Sequence, residues 1–203
     1  MKEKKIFPML NNPPPASKQE KGVGLIIVFL VLVFLQIVGL VLLVVTSTGT
    51  KAAGNIRFQQ QALNAAEAGF GMAWSEIEVL FEDGAWNSFN GHYLIEPSGI
   101  DDPQANTYFR KLSDPELINL IDPNKDGYPD LNTVIFCRQP YIKNQDGSLN
   151  SRYTYTVFLI DDEATGGTAD AKDALLVCIG CVGTGKNMTT TRLEIELALE
   201  EEG

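Results

Sequence analysis

The segment Asp122-Pro123-Asn124-Lys125-Asp126-Gly127-Tyr128-Pro129-Asp130 has residue types and spacing that could do chemistry. Oxygen-bearing side chains at loop positions 1, 3 and 5 (Asp122, Asn124, Asp126) can converge on one hard cation. Gly127 at position 6 permits the sharp turn, the Tyr128 carbonyl at 7 faces the ion, and Asp130 at 9 ligates directly or through water. The chemistry is Ca2+ binding, with those five residues as the expected ligands. The competing reading is an Asx-rich turn whose side chains satisfy their own backbone.

Other clusters point to less. Asp161-Asp162-Glu163, with Asp170 and Asp173, lacks calcium spacing and reads as a solvated loop. Cys137, Cys178 and Cys181 read as buried structural cysteines or as one bridge to Cys137. The Cys178-Ile179-Gly180-Cys181 pair has CxxC spacing but lies in an apolar run that reads as a strand. Residues three apart in a strand are about 10 Å apart, beyond disulfide reach unless Gly180 bends the chain. A thiolate zinc site would need a fourth ligand, and His92 is the one histidine available. That residue reads as a loop histidine. Glu67 reads as a packing or pairing residue at the helix–sheet junction, and Gly183-Thr184-Gly185-Lys186 lacks phosphate-loop spacing. The chain is therefore expected to be no enzyme and to have no small-molecule substrate.

These residues must be positioned by an unusual sequence of elements. Val23–Val45 carries no charge and is long enough, at about 1.5 Å per residue, to cross a bilayer core of about 30 Å. Lysines 2, 4, 5, 18 and 21 precede it against Glu3 and Glu20, which keeps the leader cytoplasmic and exports the remainder. The apolar run is too long for a secretory signal core, and no lipoprotein-type Cys follows it. Net charge is −10, and removing residues 1–22 takes it to −13. Such a surface repels nucleic acid and anionic lipid.

Beyond the span, Leu63, Ala66, Phe70, Ala73, Ile77 and Leu80 recur at spacings of three and four, with Trp74 and Phe81 widening the stripe. Gln60, Gln61, Asn64, Ala68, Ser75 and Glu78 take the opposite face, and Asp83-Gly84 is the stop. One helix from about Val23 to Glu82 would be about 90 Å long. Residues 84–130 are irregular and Pro-punctuated, with helical turns expected at Pro103–Leu112 and Asp114–Leu120, the latter capped by Asp114. Strands follow at Thr133–Cys137, Tyr153–Ile160, Ala174–Val182 and Thr191–Glu200, with a turn at Asp146-Gly147. The fold class is α+β: a long N-terminal helix, transmembrane in its first half, packed on a C-terminal four-stranded antiparallel sheet.

A charged leader ending in Lys21-Gly22, a long helix and a meander on its outer half resemble the type IV pilin and pseudopilin family. The segment from Ala53-Gly54-Asn55 through Ala65-Ala66-Glu67-Ala68-Gly69 is similar to that of PilX-type minor pilins. So is the closing hairpin Cys178–Leu199 around Gly183-Thr184-Gly185. The calcium segment has Thr133 where an EF-hand has its bidentate Glu, and looks more like the loops of thrombospondin-type and dockerin-type repeats.

The resemblance implies a leader at 1–22 that a prepilin peptidase cuts between Gly22 and Val23. A transmembrane and fibre-core half at 23–50 follows, then a periplasmic pilin-like domain at 51–203 (helix 51–83, variable region 84–130, sheet 131–203). Major subunits carry Glu five residues into the mature chain; here that position is Ile27. A buried carboxylate is costly without a partner, and by resemblance its absence marks members near the tip. The implied function is a minor pilin of type IV pilus assembly in a tip or priming complex. Its implied partners are other minor pilins, the peptidase and the bacterial inner membrane. A minor pseudopilin of a type II secretion system and a signal-anchored calcium-binding adhesin are the alternatives.

Overall fold

The computed structural model describes residues 20–129, 133–161 and 172–199, with the backbone alone for 20–22 and 186. The chain forms two compact units, Met1–Ala52 and Ala53–Gly203. A single α-helix, α1 (Glu20–Glu82), supplies elements of both. Of the expected leader, residues 1–22, the first nineteen lie outside the described residues and the last three belong to α1.

In the first unit, α1 is apolar on every side. Its most apolar window reaches a mean hydropathy of 3.3 with none of it buried. By length and composition it can cross a membrane. The polar residues that follow do not end it, because their hydroxyls bond back along the helix. Thr46 Oγ1 donates to the Leu42 carbonyl (2.8 Å) and Thr48 Oγ1 to that of Val44 (2.9 Å). Thr50 Oγ1 donates to the Ser47 carbonyl at 2.9 Å. Hydroxyls that would compete with the backbone are thus occupied locally.

The second unit is built on an antiparallel sheet in the order β1-β2-β3-β4: β1 (Val134–Pro140), β2 (Tyr153–Ile160), β3 (Asp173–Val182) and β4 (Thr189–Ala198). Pairing is regular across β2, β3 and β4, while β1 carries register shifts around Phe136. Alternation along β3 divides the core. Ala174, Leu176 and Cys178 join Ala66, Ala73 and Ile77 of α1, whereas Leu175, Val177, Ile179 and Cys181 join Leu94, Ile100, Phe109 and a second helix, α2 (Asp114–Ile121). The sheet is therefore covered on both faces.

The helix stripe is rotated from its sequence reading. Ala66, Ala73 and Ile77 of the expected stripe are buried, but Ala62, Ala65 and Gly69 complete the buried set, with Leu63, Phe70 and Leu80 only half-buried and Trp74 exposed. The sheet explains this. A Cβ on Gly180 would lie 2.0 Å from the Ala62 carbonyl oxygen and 2.4 Å from the Ala66 nitrogen. Backbone meets backbone there, so the facing helical positions must be small. The helix then stops where expected, with Gly84 at φ 71° and its N–H on the Phe81 carbonyl (3.1 Å).

Phe89 and Tyr93, just past the end of α1, still belong to its side of the sheet, and the segment from Leu94 to α2 forms the second covering layer. Leu117, Ile118 and Ile121 of α2 are buried, each contributing about 2 kcal/mol of hydrophobic stabilisation. Its N-cap is Ser113 rather than Asp114: the Glu116 carboxylate accepts both the Ser113 N–H (2.8 Å) and its hydroxyl (2.6 Å). The expected helical turn at 103–112 is a run of tight turns instead. There Asp102 Oδ1 takes the Gln104 N–H at 2.8 Å, an Asx turn that competes with helix.

A charged residue of β4 also meets this layer. Arg192 Nε donates to Asp114 Oδ1 (2.7 Å), and its other nitrogens reach the carbonyls of Phe109 (3.1 Å) and Leu112 (3.0 Å).

Replacing Gly180 by Ala should cost about 3 kcal/mol, the upper end for overpacking, because backbone must move. Gly71, with nothing near its Cβ position on α1, should gain about 0.5–1 kcal/mol on the same change. Thermal unfolding of the two variants checks both signs.

Candidate functional site

The loop after α2 is where the sequence places ligand chemistry, and α2 itself sets its first residue. The Asp122 N–H closes the last helical turn on the Ile118 carbonyl at 3.0 Å. The Asp122 side chain is fully buried. A buried carboxylate needs partners for its oxygens, and here it has three donors. Oδ1 accepts the Asp126 N–H (3.2 Å), while Oδ2 accepts the Gly127 N–H (3.2 Å) and Arg138 Nε (2.6 Å).

The remaining loop oxygens also turn inward. Asn124 Oδ1 accepts the Asp126 N–H (3.3 Å), and its amide donates to Asp126 Oδ2 (3.1 Å). Asp126 Oδ1 accepts the Tyr128 N–H at 2.8 Å. Lys125 (φ 61°) and Gly127 (φ 86°) adopt the left-handed conformation that closes the loop. Gly127 does so without a Cβ penalty.

The Asx-turn arrangement is thus what these residues form, with the Arg138 guanidinium as the cation on Asp122. Among the described residues, no group of three or more His, Cys, Asp or Glu is placed to hold a metal. The fifth expected ligand, Asp130, lies outside the described residues, as do Asp162, Glu163 and Asp170 of the second acidic stretch. A calcium ion on Asp122 Oδ2 would compete with Arg138 for that oxygen.

Arg138 is the residue that spacing did not reveal. It sits in the β1 irregularity between Phe136 and Gln139 with φ 43°, and its N–H donates to Thr156 Oγ1 (3.1 Å). This bulge turns its side chain to α2, where Nη2 also meets Asn119 Oδ1 at 3.1 Å. A bulge re-aims one side chain out of the strand alternation. A lone Arg in Val-Ile-Phe-Cys-Arg-Gln-Pro was the sequence signal available.

All three cysteines are buried thiols, and no disulfide joins them. The bridge to Cys137 that the sequence left open is not formed. Cys178 lies on the α1 face of the sheet, while Cys137 and Cys181 lie on the other. The last two are on strands separated by β2, about 10 Å apart at the strand spacing and beyond disulfide reach. Burial pushes the Cys178 and Cys181 thiols up to about 12, which suits inert core residues. His92 stacks on Trp86, ring centroids 3.9 Å apart, and burial lowers its pKa. Glu67 is exposed on α1. Gly22 and Val23 fall in the first turn of α1.

Comparison with family models, with characterised proteins and with solved structures returned no match.

Arg138→Leu leaves Asp122 buried without a counter-ion and should cost about 3–5 kcal/mol at neutral pH, most of it recovered by adding Asp122→Asn. Calcium should raise the melting temperature of Arg138→Leu more than that of the parent, since the competing guanidinium is gone. A calorimetric melt with and without calcium measures both effects.

Proposed function

We propose that this chain is a membrane-anchored minor subunit of a type IV pilus, working in assembly at the tip or in a priming complex. The observation that carries the reading is α1 itself. One helix bears an exposed apolar segment of membrane-spanning length and, further along, a small-residue stripe buried on a sheet. An exposed apolar run of this size is unfavourable in water by roughly 1.5–3 kcal/mol for each large side chain. It calls for lipid, or for the equivalent segments of neighbouring subunits. A helix able to use both can be stored in the inner membrane and drawn into a fibre.

Residues 1–22 then stay cytoplasmic, prepilin peptidase removes them, and the domain from Ala53 onward is periplasmic. The Lys21-Gly22 edge and the similarity of the 53–69 segment to PilX-type minor pilins support this direction. Ile27 supports a tip position over a bulk one. With no carboxylate at that depth, the subunit does not require another N-terminal amine above it in a fibre.

Mass spectrometry of protein purified from bacterial membranes containing prepilin peptidase should find Val23 as the first residue. Gly22→Val should retain the leader. A wild-type protein beginning at Met1, or cut beyond Ala53, would rule out the pilin reading.

A further inference from the structure

At the end of the sheet where β1 and β3 finish, three connections converge: the loop after α2, the link from β1 to β2, and the turn from β3 to β4. They enclose an open cavity of about 530 Å³. That is within the usual range for small-molecule sites, about 300–1,000 Å³. The loop after α2 contributes Lys125, Asp126 and Tyr128 to its wall, β1 contributes Arg138, and Leu149 comes from the link to β2.

The donors are prepared. Arg138 Nε is held by Asp122 and Nη2 by Asn119. Nη1 has no hydrogen-bond partner among the described residues. A guanidinium fixed from behind loses little freedom when it binds, and its planar fork matches a carboxylate. Lys125 forms no ion pair with a described residue, and its left-handed backbone fixes where the side chain starts. The acid on the same wall, Asp126, has both oxygens engaged within its own turn. In a chain of net charge −10, two cations on one concave wall stand out.

The apolar part of the wall is equally specific. Tyr128 is 75% and Leu149 54% exposed, and both line the cavity. They offer a carbon skeleton two surfaces otherwise left to water.

We propose that this cavity binds a small organic carboxylate, with the carboxylate on Arg138 and Lys125 and the carbon body against Tyr128 and Leu149. This goes beyond the assembly role and does not depend on it. Two sources share the chemistry: a sugar acid and a peptide C-terminus.

The test is ligand-observed NMR on the full chain in detergent micelles, using glucuronate, N-acetylalanine and uncharged glucose. At least one acid should bind at about 10 mM or below while glucose does not. Lys125→Glu should weaken that acid about tenfold, and Lys111→Glu, the same charge change elsewhere, should not. Lys125 is exposed, so its variant keeps the fold. The acid that binds identifies the source. The proposal is overturned if neither acid binds, if glucose binds as well as the acids, or if Lys125→Glu binds unchanged.

Discussion

The second unit depends on one close approach, the backbone of α1 at Ala62 and Ala66 against the backbone of β3 at Gly180. Where two main chains touch, no side chain can stand between them, and everything nearby is set by that distance. The helix presents alanines to the sheet, so its larger residues are displaced to the flanks. Gly69 repeats the theme one strand over, where a Cβ would lie 3.0 Å from the Tyr155 ring. Close packing of this kind gains dispersion contacts along the whole seam and tolerates almost no added volume.

That seam occupies one face of the sheet, and the second face has a different logic. Its cover is an irregular segment with one short helix, which has little regular structure of its own to stiffen it. Two arginines supply the stiffness. Arg192 of β4 holds Asp114 at the start of α2, and Arg138 of β1 holds Asp122 just beyond its end. The helix is pinned at both ends to opposite edges of the sheet. Each pair is largely buried and hydrogen-bonded, which distinguishes it from the exposed Arg110–Glu194 contact at 2.9 Å. Exposed pairs of that kind contribute little.

Much of this was legible in the residues. The four strands and their order follow from alternation and turn residues, and the end of α1 follows from Asp83-Gly84. The unbroken apolar run Ala174–Val182 already signalled burial on both faces, although a single covering helix was expected. What covers the second face was hidden because residues 94–129 have no period to read. Leu94, Ile100 and Phe109 are core residues scattered among turns. The helix stripe was right at Ala66, Ala73 and Ile77 and displaced elsewhere, because hydropathy favours Leu63 and Phe70 while the distance to Gly180 selects Ala62 and Ala65. The loop at 122–128 was visible from its spacing. Its counter-ion lies 16 residues away in sequence, in a left-handed conformation that no local pattern announces for an arginine.

The two arginine clamps also set a requirement on what covers the sheet. Both guanidiniums belong to the sheet, and both carboxylates belong to the segment that covers it. Any covering segment on this sheet must bring a carboxylate to each anchor and apolar side chains between them. The sheet is then a socket with two fixed contacts, and residues 94–129 are the plug seated in it.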